Sequence, residues 1–267
     1  MAEVWFEARQ VEAWLSGRPV IHQLNLTLAL GQSTTVLGPN GAGKSTLVKL
    51  IERSLHPIVQ ADAHLKLFGS ETVNLWQLRS RLGVVTTELE TRFPPGVEAR
   101  DVVLSGPFGS MRLGRDQTPT PNQRRHGDAL LHQLGLETIA EQRFGQLSDG
   151  QRRRLMIARA LVHSPEVLVL DEPSRALDLK AAHQLLQTLR QLCRNGTTVV
   201  QVTHRIDTIV PEMQRVLFLD GGTVVGDGSP AQMLTAERLS ALFDTDLTVV
   251  EANGYRQVLP AFRPASG

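Results

Sequence analysis

A glycine-rich segment that follows a short strand constrains the fold of this chain more than any other feature of its sequence. Residues 34–37 have the β-branched and apolar character of a strand, and apolar side chains recur at helical spacing from Leu47 to Leu55. Between them lies a loop whose three glycines permit backbone conformations that other residues rarely adopt. The sequence therefore predicts a strand, a tight loop and a helix in direct succession. The loop and the first helical residues are Gly38, Pro39, Asn40, Gly41, Ala42, Gly43, Lys44, Ser45 and Thr46.

This loop matches the phosphate-binding pattern G-x-x-x-x-G-K-[ST]. Glycines let successive backbone N–H groups point at phosphate oxygens, and the helix that begins near Lys44 adds its positive N-terminal end. In this pattern the lysine reaches the β- and γ-phosphates, and the Ser45 hydroxyl binds Mg²⁺. A chance glycine-rich turn with a surface lysine is the alternative. Because the strand and the helix that the motif requires are both present, we expect Gly38 to Thr46 to bind a nucleoside triphosphate.

A second strand carries two carboxylates at its end. Residues 167–170 form a continuous apolar run, typical of a strand buried on both faces of a parallel sheet, and Asp171 and Glu172 follow directly. The C-terminal ends of parallel strands face the ligand crevice. We therefore expect Asp171 to hold the hydration shell of Mg²⁺, and Glu172 to orient or deprotonate the attacking water. The alternative is an ordinary strand end with two solvated acids.

Together these motifs resemble those of the ATP-binding cassette (ABC) ATPases, and further segments follow in the order of that family. The segment LSDGQ, from Leu147 to Gln151, is similar to the family signature LSGGQ, with Asp149 in place of a glycine. The segment SRALD, which ends at Asp178, resembles the D-loop of the family. The resemblance covers roughly residues 4–230.

Two single residues extend the resemblance. His204 follows a predicted strand and matches the switch histidine of the family, although a lone histidine is usually structural or at the surface. Trp14 lies upstream of the glycine loop, where the family has an aromatic residue that stacks on adenine. The alternative for Trp14 is packing in the core, which is common for a tryptophan at a strand end.

The resemblance implies hydrolysis of ATP, with Mg²⁺ as the second cofactor, in a head-to-tail dimer of this chain or of this chain with a second ABC subunit. In such a dimer Ser148, Asp149, Gly150 and Gln151 contact the ATP that the opposing chain binds. The alternative is that Ser148 or Asp149 caps the helix that follows, and the two roles can hold together. A carboxylate at Asp149 is unfavourable beside a triphosphate unless it points away.

One family residue is missing. The family has a glutamine at the end of the strand after the phosphate-loop helix, and here Thr87 occupies that position. A threonine hydroxyl can still contact Mg²⁺ or water, but its reach is shorter, so we include Thr87 among the expected metal-site residues. The arginine run 152–154 is interpreted as a solvated helix face or a structural contact.

The predicted fold class is α/β: a P-loop NTPase core with a mixed or parallel sheet, an N-terminal antiparallel β subdomain and an inserted α-helical subdomain. We predict an ABC ATPase domain over residues 1–230, with the helical insertion at about 88–160, and a short C-terminal extension over 231–267. Within the insertion, we expect a loop over residues 118–121 and a helix over 128–136.

Composition excludes several classes of protein. Lys and Arg number 28 and Asp and Glu 27, so the net charge of +1 gives no reason to expect a nucleic-acid partner. The single cysteine cannot form an internal disulfide, which favours a reducing, cytosolic compartment. No apolar run approaches the roughly 18–20 residues that span a bilayer. With the resemblance, this predicts a protein bound peripherally to the cytoplasmic face of the cell membrane through separate permease subunits.

We therefore expect the ATP-hydrolysing subunit of an ABC transporter. The tail from Ala236 to Val250 resembles that of importers of metal ions or metal chelates. One alternative is a soluble ABC ATPase without a permease, but such proteins usually carry two cassettes or a long coiled-coil insertion. The other is a nucleotide-gated dimerisation module with low turnover, against which the presence of both Glu172 and His204 argues.

Overall fold

The computed structural model describes residues 3–261 of the 267 in the chain. Their contacts divide them into two units: the first extends to residue 72 and resumes at residue 200, and the second comprises residues 73–199. Within the described range, no helix is both long and apolar enough to cross a membrane. Residues 262–267 of the predicted C-terminal extension lie outside the described residues.

The strands and helices have the following bounds. The strands are β1 Val4–Leu15, β2 Arg18–Ala29, β3 Thr34–Leu37, β4 His64–Leu67, β5 Leu82–Val85, β6 Val167–Asp171, β7 Thr198–Thr203, β8 Arg215–Asp220, β9 Thr223–Gly228, β10 Leu247–Ala252 and β11 Tyr255–Pro260. The helices are α1 Lys44–Ile51, α2 Leu75–Arg81, α3 Thr87–Thr91, α4 Ala99–Leu104, α5 Pro121–Gln133, α6 Asp149–Leu161, α7 Leu179–Arg194, α8 Pro230–Met233 and α9 Ala236–Phe243.

The first unit contains an antiparallel sheet of order β2-β1-β4, in agreement with the predicted β subdomain. Phe6 on β1 pairs with Leu28 on β2 and with Leu67 on β4. Along β2, Leu24, Leu26 and Leu28 are buried while the residues between them are exposed. The alternation of side chains along a strand explains why the sequence indicated β structure here.

The phosphate-loop strand β3 lies in another sheet of this unit. It is parallel to β7 on one side and to β8 on the other, and β9 forms a hairpin with β8. Every residue of β3 and β7 is buried, as expected for parallel strands covered on both faces. A separate antiparallel hairpin, β10–β11, lies near the end of the described chain and was not predicted.

The second unit combines a parallel strand pair with packed helices. β5 and β6 are paired from Leu82 opposite Val167 to Val85 opposite Leu170. Helices α4, α5 and α6 pack against one another, and α6 also packs against α7. The predicted insertion, 88–160, falls within this unit, whereas the predicted domain boundary at residues 230 and 231 stays a prediction.

One predicted boundary in the second unit is wrong. Helix α5 begins at Pro121 rather than near residue 128, so the stretch 118–121 is not wholly a loop. The Thr120 side chain accepts a hydrogen bond from the Gln123 N–H (3.2 Å), and the Gln123 side chain accepts one from the Thr120 N–H (2.8 Å). This capping box satisfies first-turn donors, and proline is tolerated at the first helical position.

In the first unit, Arg215 joins three strands. Its guanidinium donates to both carboxylate oxygens of Asp227 on β9 (2.8 and 2.7 Å) and to the Thr27 carbonyl on β2 (2.7 Å). The hydrogen bond from Arg215 lowers the pKa of the Asp227 carboxyl below its ordinary value of 3.8. A carboxylate whose pKa is lowered in the folded state stabilises the fold above its unfolded pKa, and this stabilisation is lost as the pH falls.

We expect Asp227→Asn to lower the free energy of unfolding at pH 7 by about 1 kcal/mol, because Asp227 is exposed and solvent weakens its ion pair. The difference from the wild type should shrink as the pH falls below about 4, where the wild-type carboxylate becomes protonated. Urea denaturation at pH 7 and pH 3 measures both quantities. Asp62→Asn, in an exposed turn, is the matched control, and an equal loss for Asp227→Asn at the two pH values would contradict this account.

Candidate functional site

The glycine loop leads directly from the buried strand β3 into helix α1. Gly41 and Gly43 have φ values of 84° and 97°, in the left-handed region that favours glycine. Gly43 is the N-cap of α1, and it has no side chain to offer the first-turn N–H groups. Backbone donors at such a helix N-terminus are suited to an anion.

The backbone of neighbouring strands lies very close to the glycines of this loop. A Cβ atom at Gly38 would lie 2.1 Å from the Leu219 carbonyl oxygen, and one at Gly43 would lie 3.3 Å from the Val20 carbonyl oxygen. The Gly222 N–H, in the turn between β8 and β9, donates to the Ala42 carbonyl (3.0 Å). This turn therefore supports the phosphate loop.

Lys44 lies inside the curve of the loop. Its Nζ donates to the carbonyl oxygens of Gly38 (2.9 Å) and Pro39 (2.8 Å), and the residue is 6% exposed. Ser45, the next residue, is exposed, so its hydroxyl is accessible to a metal-bound phosphate. Positive-φ glycines, an uncapped helix start, a lysine and an accessible hydroxyl are the donor set that a triphosphate with Mg²⁺ requires, and the residues present therefore fit ATP.

The structure brings His204 to the same strand ends as the loop. Leu37 of β3 pairs with Thr203 of β7, and the Gly38 N–H donates to the Thr203 carbonyl (3.4 Å). Gly38 and His204 are therefore the residues that immediately follow two adjacent parallel strands. This is the edge at which the sequence analysis placed the histidine, and its part in hydrolysis stays a prediction.

Trp14 lies near the end of β1 and is 47% exposed, so it is not a core residue. It pairs with Pro19, which directly precedes Val20, the residue whose carbonyl contacts the glycine loop. The strand end that carries Trp14 is thus close to the loop in the first unit. An exposed indole in this position is compatible with stacking on adenine, which stays a prediction.

In the second unit, Asp171 and Thr87 lie at the same end of two parallel strands. The pairing of Val85 with Leu170 places Asp171, the last residue of β6, level with the residue before Thr87. Asp171 and Glu172 are both partly buried. Glu172 has a φ of 47°, a left-handed conformation that is uncommon outside glycine and that clusters at functional sites.

The signature segment begins helix α6, and Ser148 is its N-cap. The Ser148 hydroxyl accepts from the Gln151 N–H (3.3 Å), and the Gln151 side chain accepts from the Ser148 N–H (2.8 Å). The capping alternative is therefore confirmed for Ser148. The Asp149 side chain is 65% exposed and lies 3.6 Å from Nη1 of Arg152, so its carboxylate is partly neutralised at the surface.

The signature segment lies against the start of α7, the helix that follows the D-loop. Asp178 is the N-cap of α7, and its Oδ1 accepts from the Ala181 N–H (2.7 Å). A Cβ at Gly150 would lie 2.5 Å from the Cβ of Ala181. Only glycine at position 150 therefore allows the first turns of α6 and α7 to approach this closely.

The arginine run proves to be structural rather than a solvated face. Arg152 donates to the Phe144 (3.3 Å) and Gly145 (3.1 Å) carbonyl oxygens, and Arg154 donates to that of Leu134 (2.8 Å). Arg153 is buried at 4% exposure, and its Nη2 donates to the Thr87 hydroxyl oxygen (3.4 Å). This contact was not predicted from the sequence. The available signal was that Arg153 continues the buried stripe formed by Met156, Ile157 and Ala160.

Comparison with known proteins agrees with these features. A family model described as "ABC transporter" matches residues 21–175. The hemin import ATP-binding protein HmuV of Rhodopseudomonas palustris (strain HaA2) is 30% identical over 267 residues, covering 95% of this chain and 96% of that protein. The phosphonates import ATP-binding protein PhnC of Trichormus variabilis (strain ATCC 29413 / PCC 7937) is 34% identical over 234 residues, covering 86% and 95%.

A solved ABC transporter in an inward-facing conformation, which is assigned to the metal-chelate type, has a similar fold. The TM-score is 0.78 at 25% identity, and the match covers 97% of this chain and 98% of the other. This likeness confirms the predicted α/β P-loop fold. With the family match and the phosphate loop, it establishes that the chain belongs to the ABC transporter family, as one of its ATP-binding, ATP-hydrolysing proteins.

Proposed function

We propose that this chain is the ATP-hydrolysing subunit of an ABC importer for a metal chelate of the hemin kind, acting on separate permease subunits. The observation that carries the substrate class is the extent of the matches. The hemin-import relative and the metal-chelate structure cover 95% and 97% of this chain, whereas the phosphonate-import relative covers 86%. The resemblance therefore includes the C-terminal part, which the motif-bearing region does not explain.

The proposed site residues have different roles in the binding and the hydrolysis of ATP. The loop N–H groups and Lys44 bind the triphosphate and neutralise its charge. The Ser45 hydroxyl and the Asp171 carboxylate are the hard oxygen donors that suit Mg²⁺, which when bound stabilises charge on the β- and γ-phosphates. Glu172 accepts the proton of the attacking water, and His204 donates a hydrogen bond to the γ-phosphate.

The signature segment acts on the ATP of a second chain. Ser148 is exposed at the start of α6, a 13-residue helix whose positive end is available to an external anion. The pairing of Asp149 with Arg152 offsets part of the repulsion that a carboxylate would exert on a triphosphate. These features support a head-to-tail dimer, of two copies or with a second ABC subunit, in which each active site is completed by the opposing chain.

We further propose that permease subunits hold this chain at the inner face of the membrane, and that they dock on the helical insertion and the segment that follows Thr87. A soluble ABC ATPase without a permease is the alternative, and the relatives named for import argue against it. A low-turnover dimerisation module is less well supported. Glu172 follows β6 and His204 follows β7, and each of these strands is paired in parallel with a neighbouring strand, which is the position expected of residues that act in hydrolysis.

We expect transport itself to distinguish the substrate classes. The chain is first tested for association with candidate permeases of hemin importers and is then reconstituted in proteoliposomes with a permease that binds it and a hemin-binding solute-binding protein. The hemin-loaded binding protein should stimulate ATP hydrolysis severalfold and drive hemin uptake. A phosphonate-loaded assay serves as the matched comparison. Stimulation by phosphonate alone would overturn the metal-chelate assignment, and failure to associate with any permease would favour the soluble alternative.

Glu172→Gln should reduce kcat at least a hundredfold, the usual scale for loss of a general base, and should trap an ATP-bound dimer. Size-exclusion chromatography with light scattering, in ATP and Mg²⁺, measures the dimer. Lys44→Ala introduced together with Glu172→Gln should stay monomeric, because ATP binding is lost. Glu141→Gln, at an exposed position, controls for the amide substitution, and a Glu172→Gln variant with normal turnover would reject Glu172 as the base.

Gly150→Ala should lower the melting temperature, because the new Cβ meets that of Ala181. Ala181→Gly in the same chain removes that clash and should restore most of the stability, with Ala181→Gly alone as the control. ATP hydrolysis should stay low in the rescued double variant if Gly150 also lets backbone approach the opposing ATP. Full recovery of both stability and hydrolysis would limit Gly150 to a packing role.

A further inference from the structure

We propose that Arg153 is a positioning residue for ATP hydrolysis, which holds the Thr87 hydroxyl at the strand end beside Asp171. The inference rests on the proposed function, because it assigns Thr87 to the position at which the ABC ATPases have a glutamine. Its evidence lies wholly in the second unit, in the contact between helices α3 and α6.

Arg153 is a charged residue in an apolar position. It is 4% exposed and lies on the α6 face that also buries Met156, Ile157 and Ala160. A guanidinium keeps its charge when buried, so its transfer from water carries a desolvation penalty. An apolar side chain of similar length at this position would avoid that penalty, and packing alone therefore does not explain the arginine.

The contacts of Arg153 are concentrated on one short helix. Its Nη2 lies 3.4 Å from the Thr87 hydroxyl oxygen and 3.5 Å from a carboxylate oxygen of Glu90. Thr87 and Glu90 are three residues apart on α3 and so face the same side of it. The Glu90 side chain is 14% exposed, and burial raises the pKa of its carboxyl although Arg153 opposes this. Arg153 thus links α3 to α6, the helix that begins in the signature segment.

The guanidinium is not saturated by these contacts. Among the described residues, Nε and Nη1 of Arg153 have no hydrogen-bond partner, although both are buried. A residue selected for stability would have its buried donors satisfied. Two buried donors without a partner make this arginine costly to the fold, which is consistent with a role other than stability.

The hydroxyl that Arg153 contacts is the one at the position of the missing glutamine. The Thr86 hydroxyl is already used, because it caps α3 by accepting from the Leu89 N–H (3.1 Å). By donating to the oxygen of Thr87, Arg153 leaves the Thr87 hydroxyl proton to be donated elsewhere. Asp171 lies at the end of the neighbouring parallel strand, one residue out of register with Thr87. The fixed hydroxyl can thus orient water or phosphate oxygen at that edge, in place of the longer glutamine side chain.

Arg153 also lies one helical turn after Gly150 in the signature helix. A displacement of α6 on closure of the proposed dimer would therefore move the Arg153 side chain relative to Thr87. The arginine is consequently expected to affect the rate of hydrolysis rather than the binding of ATP.

Arg153→Met is the decisive substitution, because it keeps the length of the side chain and removes its charge and donors. We expect kcat for ATP to fall about tenfold, with KM changed less than twofold, and the melting temperature to fall because Glu90 loses its buried cationic neighbour. Arg154→Met on the same helix is the matched control, which loses a bond to a carbonyl but should keep its kcat. A purely structural role for Arg153 predicts wild-type kcat in Arg153→Met, and that result would overturn the proposal.

Substitutions at Thr87 test the same contact from the other side. Thr87→Val should lower kcat about as much as Arg153→Met does, whereas Thr87→Ser should keep the wild-type kcat. The double variant with Arg153→Met and Thr87→Val should have a kcat no lower than that of either single variant. Equal kcat in the valine and serine variants, or additive losses in the double variant, would overturn the proposal even if Arg153→Met fails to fold. Normal turnover in Glu172→Gln would instead refute the proposed catalytic assignment, independently of Arg153.

Discussion

The close approach of glycine backbone to neighbouring carbonyl groups is the constraint on which the first unit depends. A Cβ at Gly38 would lie 2.1 Å from the Leu219 carbonyl oxygen, and one at Gly222 would lie 2.0 Å from that of Val20. These distances leave no room for any side chain, so the loop and the β8–β9 turn are fixed by strands packed against them. The donors for phosphate are consequently arranged by the fold before ATP binds, which is the condition for electrostatic preorganisation.

Helix caps organise the second unit in a corresponding way. Thr86, Ser148 and Asp178 each cap a helix, and each lies in or beside a segment that the family resemblance assigns to nucleotide chemistry. The structural and functional interpretations of Ser148 are therefore compatible, because the hydrogen bond that caps the start of α6 also fixes the orientation of its exposed N-terminus.

The parts of the fold that the sequence predicted are those in which local pattern and tertiary environment agree. Strands β3 and β6 are continuous apolar runs because both of their faces are buried, and the glycine loop has few alternatives to its observed path. The start of α5 was missed because a capping box outweighs the turn character of two prolines. The stripe on α6 indicated that Arg153 is buried, but its partners could not be predicted, since they lie on α3 and meet it only through tertiary contact.

The backbone of Glu172 also has a consequence for how the chain can evolve. At a φ of 47° a glycine would relieve about 1 kcal/mol of strain, yet it would remove the carboxylate. With Glu172 as the base proposed above, selection for a more stable fold and selection for turnover act in opposite directions on this one position. In a homologue that no longer hydrolyses ATP, replacement of Glu172 by glycine would stabilise the fold at no cost to activity. The residue at this position in a homologue therefore indicates whether hydrolysis has been retained.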